Sequence, residues 1–485
     1  MAAEAPLSQG AGLHADARSA QGKLDPATLE PSPLAEEAEA HLHQLAALGL
    51  EPSPLTQEAQ AHLRQLAALG LEPSPLTQEA QAHLHQLAAL GLERRVRLVS
   101  GPQGPEVLLD GRRVILLCSN NYLGLASHQV VCDAAAEAAH ALGTGSGASR
   151  LISGTMEIHS QLERSLAEFV GTEACLLFGS GYLANIGVIS ALARRGDVIF
   201  SDQLNHASII DGCRLSGAQV RIYRHLDVSH LESLLQEETA CEEHSSGRRR
   251  IIVTDSLFSM DGDLAPLPQL VALAQRHRAV LIVDEAHAIG ALAPLGRGAV
   301  AEARLTRQVD VLIGTLGKAL GSYGAYACGS SPLIHCLLNT ARSLIFSTAP
   351  PPPAIAAASA ALQLLRSEPQ LVRDLASAAK ALRLALRENG FAVAESDVHI
   401  VPLLVGGAED ALALCQAALE RGVFAQAIRP PTVPQGTSRL RLSVMSSHTP
   451  AQMQLAAAVL RQAALAVGLA PQRVGEPSQG LAPRR

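Results

Sequence analysis

Three short segments carry side chains whose types and spacing suit chemistry. In Gly314-Thr315-Leu316-Gly317-Lys318 a lysine stands in a tight glycine turn. An amine shielded from water there loses its proton readily and can attack a carbonyl to form a Schiff base. In Asp284-Glu285-Ala286-His287 an acidic residue directly follows an apolar run, and a carboxylate withdrawn from water needs a cation beside it. In Gly179-Ser180-Gly181-Tyr182 glycines lead into a helical stretch, Leu183–Leu192, where backbone N–H groups at the positive end of the helix suit a phosphate. Each segment alone has an ordinary reading as a surface lysine, a buried ion pair or a tight turn. The letters DEAH also invite a helicase, but the chain has no GxxxxGK[ST] element to cradle a nucleotide.

The elements that must position these groups change the odds. Short β-rich runs end at Phe178, Phe200, Tyr223, Thr254, Val283 and Ile313, and each is followed by small or polar residues and then a helical stretch. That alternation predicts crossover units on a mostly parallel sheet, and such sheets gather ligands beyond the C-terminal ends of their strands. A phosphate loop, a strand-end Asp and a loop Lys then share one edge. Pyridoxal phosphate needs this set: the lysine holds the aldehyde, the carboxylate keeps the ring nitrogen protonated, and backbone donors anchor the phosphate.

The 485 residues carry a formal charge of −7, with 17% charged and 48% apolar side chains. A nucleic-acid binder with a basic face is excluded by that balance. Eight cysteines form no CxxC pair and no metal-ligand spacing, so no metal is expected and the thiols read as reduced. No apolar run approaches a bilayer span, and the N-terminus resembles neither a signal nor a transit peptide, which predicts a cytoplasmic protein away from membranes. Residues 1–29 and 468–485 read as disordered. Residues 30–92 hold three copies of a 21-residue block, EPSPLAEEAEAHLHQLAALGL and two close variants. In each, Ser-Pro supplies an N-cap and first-turn proline, and a glycine closes a short amphipathic helix. These copies read as duplicated helices, with a docking module as the functional alternative. An arm over 93–130, a large domain over 131–363 and a smaller α+β domain over 364–467 complete the chain, with a charge-rich loop at Glu237–Arg250.

Over about residues 93–467 the chain resembles the α-oxoamine synthases, pyridoxal-phosphate transferases of the fold-type-I, aspartate-aminotransferase-like class. The resemblance is carried by SNNYLGLASH at 119–128, GTGSGASRLISGT at 143–155, FGSGYLAN at 178–185, DQLNHASIIDG at 202–212, TDSLFSMDGD at 254–263, VDEAHAIG at 283–290, GTLGKALG at 314–321 and IFSTAPPP at 345–352. It implies an α/β fold, with a mostly parallel sheet in the cofactor-binding domain and a smaller α+β C-terminal domain. It also implies roles. Lys318 would hold the cofactor and act as base, Asp284 would pair with the ring nitrogen, and His206 would stack on the ring and donate to the thioester oxygen. His287 and Ser259 would lie near the ring hydroxyl. Gly181, Tyr182 and Thr315 would hold the phosphate, which Ser347 and Thr348 would approach from a second subunit of a homodimer with shared sites. Arg94, Asn120, Arg429 and Thr432 would contact substrate, although Arg439 and Arg441, alternating on a strand, could bind a carboxylate instead of Arg429. The segment AIRPPTVPQGTSRLRLSV at 427–444 points within the family to L-alanine and a pimeloyl thioester, on CoA or a carrier protein. Glycine or serine with another acyl-CoA is the alternative, and a non-catalytic scaffold with docking repeats is the reading from another class.

Overall fold

The computed structural model describes residues 74–94, 96–240, 248–293 and 295–474, which divide into two units between Val96 and Arg97. The first unit contains the third repeat as a helix, Pro75–Ala89. Ser74 caps it by accepting the Thr77 N–H at 3.3 Å, Pro75 occupies the first turn, and Gly91 follows at φ +62°. This is the start and stop that the repeat pattern predicts. No residue of this helix is buried. The repeat copies at Glu30 and Glu51, the terminal segments 1–29 and 475–485, and the middle of the charge-rich loop, 241–247, lie outside the described residues.

The second unit opens with β1 (Val99–Ser100), β2 (Glu106–Leu109) and β3 (Arg112–Leu116), joined as an antiparallel meander. Asp110 and Gly111, at φ 49° and 77°, form the β2–β3 turn, as an Asp-Gly hairpin requires. There follow β4 (Ala174–Phe178), β5 (Val198–Asp202), β6 (Gln219–Tyr223), β7 (Arg250–Asp255), β8 (Val280–Asp284), β9 (Val311–Thr315) and β10 (Ala325–Gly329), in the spatial order β4-β10-β9-β8-β7-β5-β6. All six predicted runs are strands of this sheet. Neighbours from β6 to β9 pair in parallel, and only β10 runs against its neighbours β9 and β4. The central strands alternate between two apolar layers: Val283, Leu281 and Ile252 pack on one side, Ile282, Ile251 and Val253 on the other. Strands buried on both faces cannot present charge in mid-strand, so polar side chains gather at their ends.

The C-terminal part builds a three-stranded antiparallel sheet, β11-β14-β13, from β11 (Ile400–Gly406), β13 (Gln426–Ile428) and β14 (Ser438–Ser443). A short β12 (Val423–Phe424) pairs in parallel with β3. Within the arm predicted over 93–130, β3 thus joins the sheet to a strand of the C-terminal part. The predicted boundary at 363/364 falls inside one helix, Pro352–Ser367. Within the tail predicted to be disordered from 468, Pro471–Arg473 form a 3-10 turn and Val474 is buried, its carbonyl accepting the Ala392 N–H. The predicted loop at Glu237–Arg250 is shortened by a helix reaching Ala240 and by β7 starting at Arg250, and its flanks are tied by an Arg248–Glu238 ion pair at 2.5 Å. Among the described residues no helix is long and apolar enough to cross a membrane.

Candidate active site

Lys318, three residues past the end of β9, meets His287, three past the end of β8, with Nζ 2.7 Å from Nε2. The other nitrogen, Nδ1, lies 2.7 Å from the hydroxyl of Tyr122. Burial first, then the cations Lys318 and Arg441, drive His287 well below the ordinary imidazole value of 6.5, so the ring is neutral and each nitrogen has one role. The lysine donates to Nε2, Nδ1–H donates to Tyr122, and the Tyr122 hydroxyl donates to Asn120 Oδ1 at 3.0 Å. Arg441, from β14, donates through one terminal nitrogen to Asn120 Oδ1 and to the Tyr122 oxygen, each at 3.2 Å, and through Nε to the Ser259 carbonyl at 2.5 Å. This chain brings Lys318, His287, Asn120 and the Ser259 loop together. The ring of His399 lies 4.0 Å, centroid to centroid, from that of Tyr122.

A second chain runs along the same edge. Asp284, the last residue of β8, accepts the Ala286 N–H at 2.7 Å and the Asn185 amide at 2.6 Å. Asn185 also donates to Ser208 Oγ at 2.9 Å, which lies 2.7 Å from His206 Nδ1. His206 caps the helix Ala207–Ser216 and gives its backbone N–H to Asp255 at 2.8 Å. Protein crowded around the His206 ring lowers its pKa, although the residue keeps exposed surface. Asp255 and Asp284 are register partners on β7 and β8, and burial together with the neighbouring carboxylate raises Asp255 well above the ordinary range. Burial lowers the Lys318 amine to about 8 against the pull of Asp284 and Asp255.

Gly181 and Tyr182 open the helix Gly181–Leu192, whose N-cap Ser180 accepts from Leu183. Their amides belong to the first-turn donors that a helix cannot satisfy itself. The Tyr182 hydroxyl donates to Asp211 at 2.6 Å. Thr315 ends β9, and its hydroxyl donates to the Gly324 carbonyl while accepting from the Gly317 N–H, so it shapes the turn that presents Lys318. Ser347 and Thr348 follow the short helix Arg342–Ile345, where Thr348 bridges to Ser149. Arg429 and Thr432 stand in the turn between β13 and β14, whereas Arg441 enters the cluster. Arg94 belongs to the first unit. Tyr122, Asn185 and Asp255 were not singled out from sequence; each lies inside a motif segment, which was the available signal.

The donor set fits pyridoxal phosphate. A desolvated amine, a buried carboxylate held by two donors and first-turn amides lie on one sheet edge, with His206 linked through Ser208 and Asn185 to the carboxylate. Fold and site together define a fold-type-I pyridoxal-phosphate transferase. The model of the family described as aminotransferase class I and II matches residues 112–460, and the chain belongs to that family. Over 378 residues it is 50% identical to an 8-amino-7-oxononanoate synthase of Geobacter sulfurreducens, covering 78% of this chain and 95% of that one. It is 44% identical over 376 residues to the same-named enzyme of Lysinibacillus sphaericus, with the same coverage. Among solved structures, a serine palmitoyltransferase from S. paucimobilis with a PLP–myriocin adduct bound superposes with TM-score 0.76 at 32% identity, over 82% of this chain and 100% of that one. An 8-amino-7-oxononanoate synthase from Francisella tularensis gives 0.62 at 28% identity, over 73% and 99%. The chain is accordingly an α-oxoamine synthase, a pyridoxal-phosphate-dependent acyltransferase.

Proposed function

We propose that the protein condenses L-alanine with a pimeloyl thioester, releasing CO₂ and the free thiol and giving 8-amino-7-oxononanoate for biotin biosynthesis. The observation that carries this reading is the cluster in which the Arg441 guanidinium, Asn120 and the Lys318 amine converge through Tyr122 and His287. Bound at this edge, pyridoxal phosphate supplies an electron sink for carbanion chemistry at an amino acid's α-carbon. The protein's residues do the rest. Asp284 would keep the ring nitrogen protonated, His206 would cover the ring, and His287 and Ser259 would lie near its hydroxyl. Gly181, Tyr182 and Thr315 hold the phosphate, completed by Ser347 and Thr348 of a second copy. Lys318 would be the residue that holds the cofactor and would move the α-proton of the substrate; its amine, lowered to about 8 by burial, stays accessible in neutral form near physiological pH. Arg441 and Asn120 take the amino-acid carboxylate, a bidentate task suited to a fixed guanidinium, while Arg429 and Thr432 face the acyl substrate.

The relatives named 8-amino-7-oxononanoate synthase, at 44–50% identity, favour alanine over serine, although the serine palmitoyltransferase superposes at a higher TM-score than the synthase from Francisella tularensis. The test is to load the full chain with pyridoxal phosphate, offer alanine, glycine and serine in turn, add pimeloyl-CoA and follow thiol release. Release with alanine is expected. Release only with glycine or serine, or only with a different acyl chain, would overturn the substrate while leaving the family.

A further inference from the structure

Beyond the residues that face cofactor and substrate, the sheet edge holds a histidine clasped by two carboxylates. His225 follows β6, with Nδ1 2.8 Å from Asp202 Oδ1 at the end of β5 and Nε2 2.9 Å from Asp263 Oδ2 in the loop after β7. Ionised carboxylates only accept, so both ring nitrogens must donate, and an imidazole that donates twice is a cation. Asp202 is buried and further fixed by the N–H groups of Leu204 at 2.8 Å and Leu226 at 3.0 Å. Leu226 sits at φ 56°, a left-handed conformation that a leucine keeps only where its surroundings over-determine it. The ring edge of Phe258 closes the site from the side, 4.5 Å between centroids at 88°.

The two carboxylates anchor different walls of the site. From Asp202 the chain turns through Asn205 to His206, and from Asp255 the other loop runs through Ser259 to Asp263. Arg439 and Arg441 hold the middle of that loop, at Asp261 and at the Ser259 carbonyl, and His225 holds its end. We propose that His225 is a positioning residue that, as a cation, locks the His206 turn to the Ser259 loop and so fixes the width of the slot that receives the cofactor ring. This rests on the reading of that slot as the pyridoxal-phosphate site. The charged groups facing His225 are Asp202 from β5 and Asp263 from the loop; on its own turn Arg224 is spent on Asp227 at 2.7 Å. Burial alone would lower the imidazole, but its bonds to the two carboxylates carry it up to about 9. The raised value sets the sign: the lock is complete below the ordinary imidazole value and opens as pH rises through about 9.

The test uses the cofactor-loaded full chain and its H225Q, D263N and double variants, following cofactor release by loss of the bound chromophore's absorbance. A glutamine amide donates to one carboxylate and carries no charge. Both single variants are expected to release cofactor about tenfold faster, as for loss of one charged hydrogen bond, with the double variant no faster than either single. Release from the unmodified protein should accelerate as pH passes about 9, and that dependence should be missing from H225Q. Should H225Q fail to fold by circular dichroism, D263N, at a half-buried carboxylate, carries the same comparison. Wild-type release rates in folded variants, additive effects or an unchanged pH dependence in H225Q would overturn the proposal. Titration of the His225 imidazole by NMR in cofactor-free protein separates this failure from failure of the cofactor reading: the ring should titrate near 9 and drop in D263N whether or not the slot binds pyridoxal phosphate, and a titration near 6.5 would also overturn the lock.

Discussion

Lys318, His287, Asp284 and His206 stand at, or a few residues beyond, the C-terminal ends of parallel strands, whereas Arg439 and Arg441 project from the middle of β14 in the antiparallel sheet. The central strands of the seven-stranded sheet are covered on both faces, so their interior positions are apolar and their chemistry is confined to one edge. The three-stranded sheet sends Leu440 and Leu442 into the apolar core, and the period of two puts Arg439 and Arg441 together on the opposite face. There, Arg439 pairs with Asp261 and Arg441 with the Ser259 carbonyl. One sheet offers groups by where its strands stop, the other by which face its strands turn. A site assembled from both has groups fixed from two directions, which suits a reaction in which a cofactor and an amino acid must be held at once.

The contrast is broken most severely at the lysine. Lys318→Ala removes the proposed attachment point and base, and turnover should fall by at least about 10³-fold, with borohydride no longer fixing cofactor to the chain. Retained covalent fixation would remove Lys318 from the role and with it the claim that strand ends carry the chemistry. Arginine substitutions sharpen the other half. Arg441→Lys keeps the charge but loses the fork that reaches Asn120, Tyr122 and Ser259, so the KM for the amino acid should rise by about 10–10²-fold. Arg429→Lys should leave that KM within about threefold and act on the thioester instead. The reverse ranking, read from the two KM values, would return the carboxylate to Arg429 and leave the face of β14 a structural role.

A finer division lies within the parallel sheet. Asn185 joins Asp284 to Ser208 and thus to His206. Replacing it with alanine leaves one oxygen of a buried carboxylate without its donor, and cofactor affinity should drop about tenfold, measured by equilibrium titration of cofactor-free protein. Unchanged affinity would mean that the strand-end groups act singly rather than as a chain.

These two modes also explain what was legible in the sequence. Strands buried on both faces announce themselves as apolar runs, and the six predicted runs were readable, although β6, at the edge of the sheet, keeps Val220 and Ile222 exposed. The seventh strand, β10, was not: AYACG is short, small and preceded by Gly321-Ser322-Tyr323-Gly324, so it lacks the branched residues that mark a strand. The pairing of β3 with β12 joins segments some three hundred residues apart, and no local pattern encodes such a partner. The site divides the same way. Lys318 and Asp284 follow apolar runs and could be placed by that alone, but His206, Asn120 and Ser259 were identified through motif resemblance. Tyr122 and Asn185 act by bonds to groups far along the chain, and nothing in their local sequence hints at those partners. Arg441 was visible as half of an alternating pair, and the fold was needed to show that it enters the cluster.

The smallest expected effect is on stability, and it gives each sheet its own pH window. Lys318, at the edge of the large sheet, is lowered to about 8 by burial, and His399, just before β11 in the small one, is lowered to about 3 by burial and nearby cations. A base with a depressed folded pKa binds fewer protons than the unfolded chain between the two values, so stability rises with pH across that interval. In cofactor-free protein Lys318 should therefore contribute a gain between about pH 8 and 10.5, the ordinary lysine value. His399 should contribute a loss as pH falls from 6.5 toward 3, in a range shared with His287, which is lowered in the same direction. Denaturant midpoints for Lys318→Met and His399→Phe, each subtracted from wild type at every pH, isolate the two limbs even though His225 titrates in the opposite sense near 9. If Lys318→Met leaves the alkaline limb unchanged, its amine is solvated at the strand end. If His399→Phe leaves the acid limb unchanged, the protected base belongs to the large sheet alone, and the face of the small sheet orients its charges without shielding them.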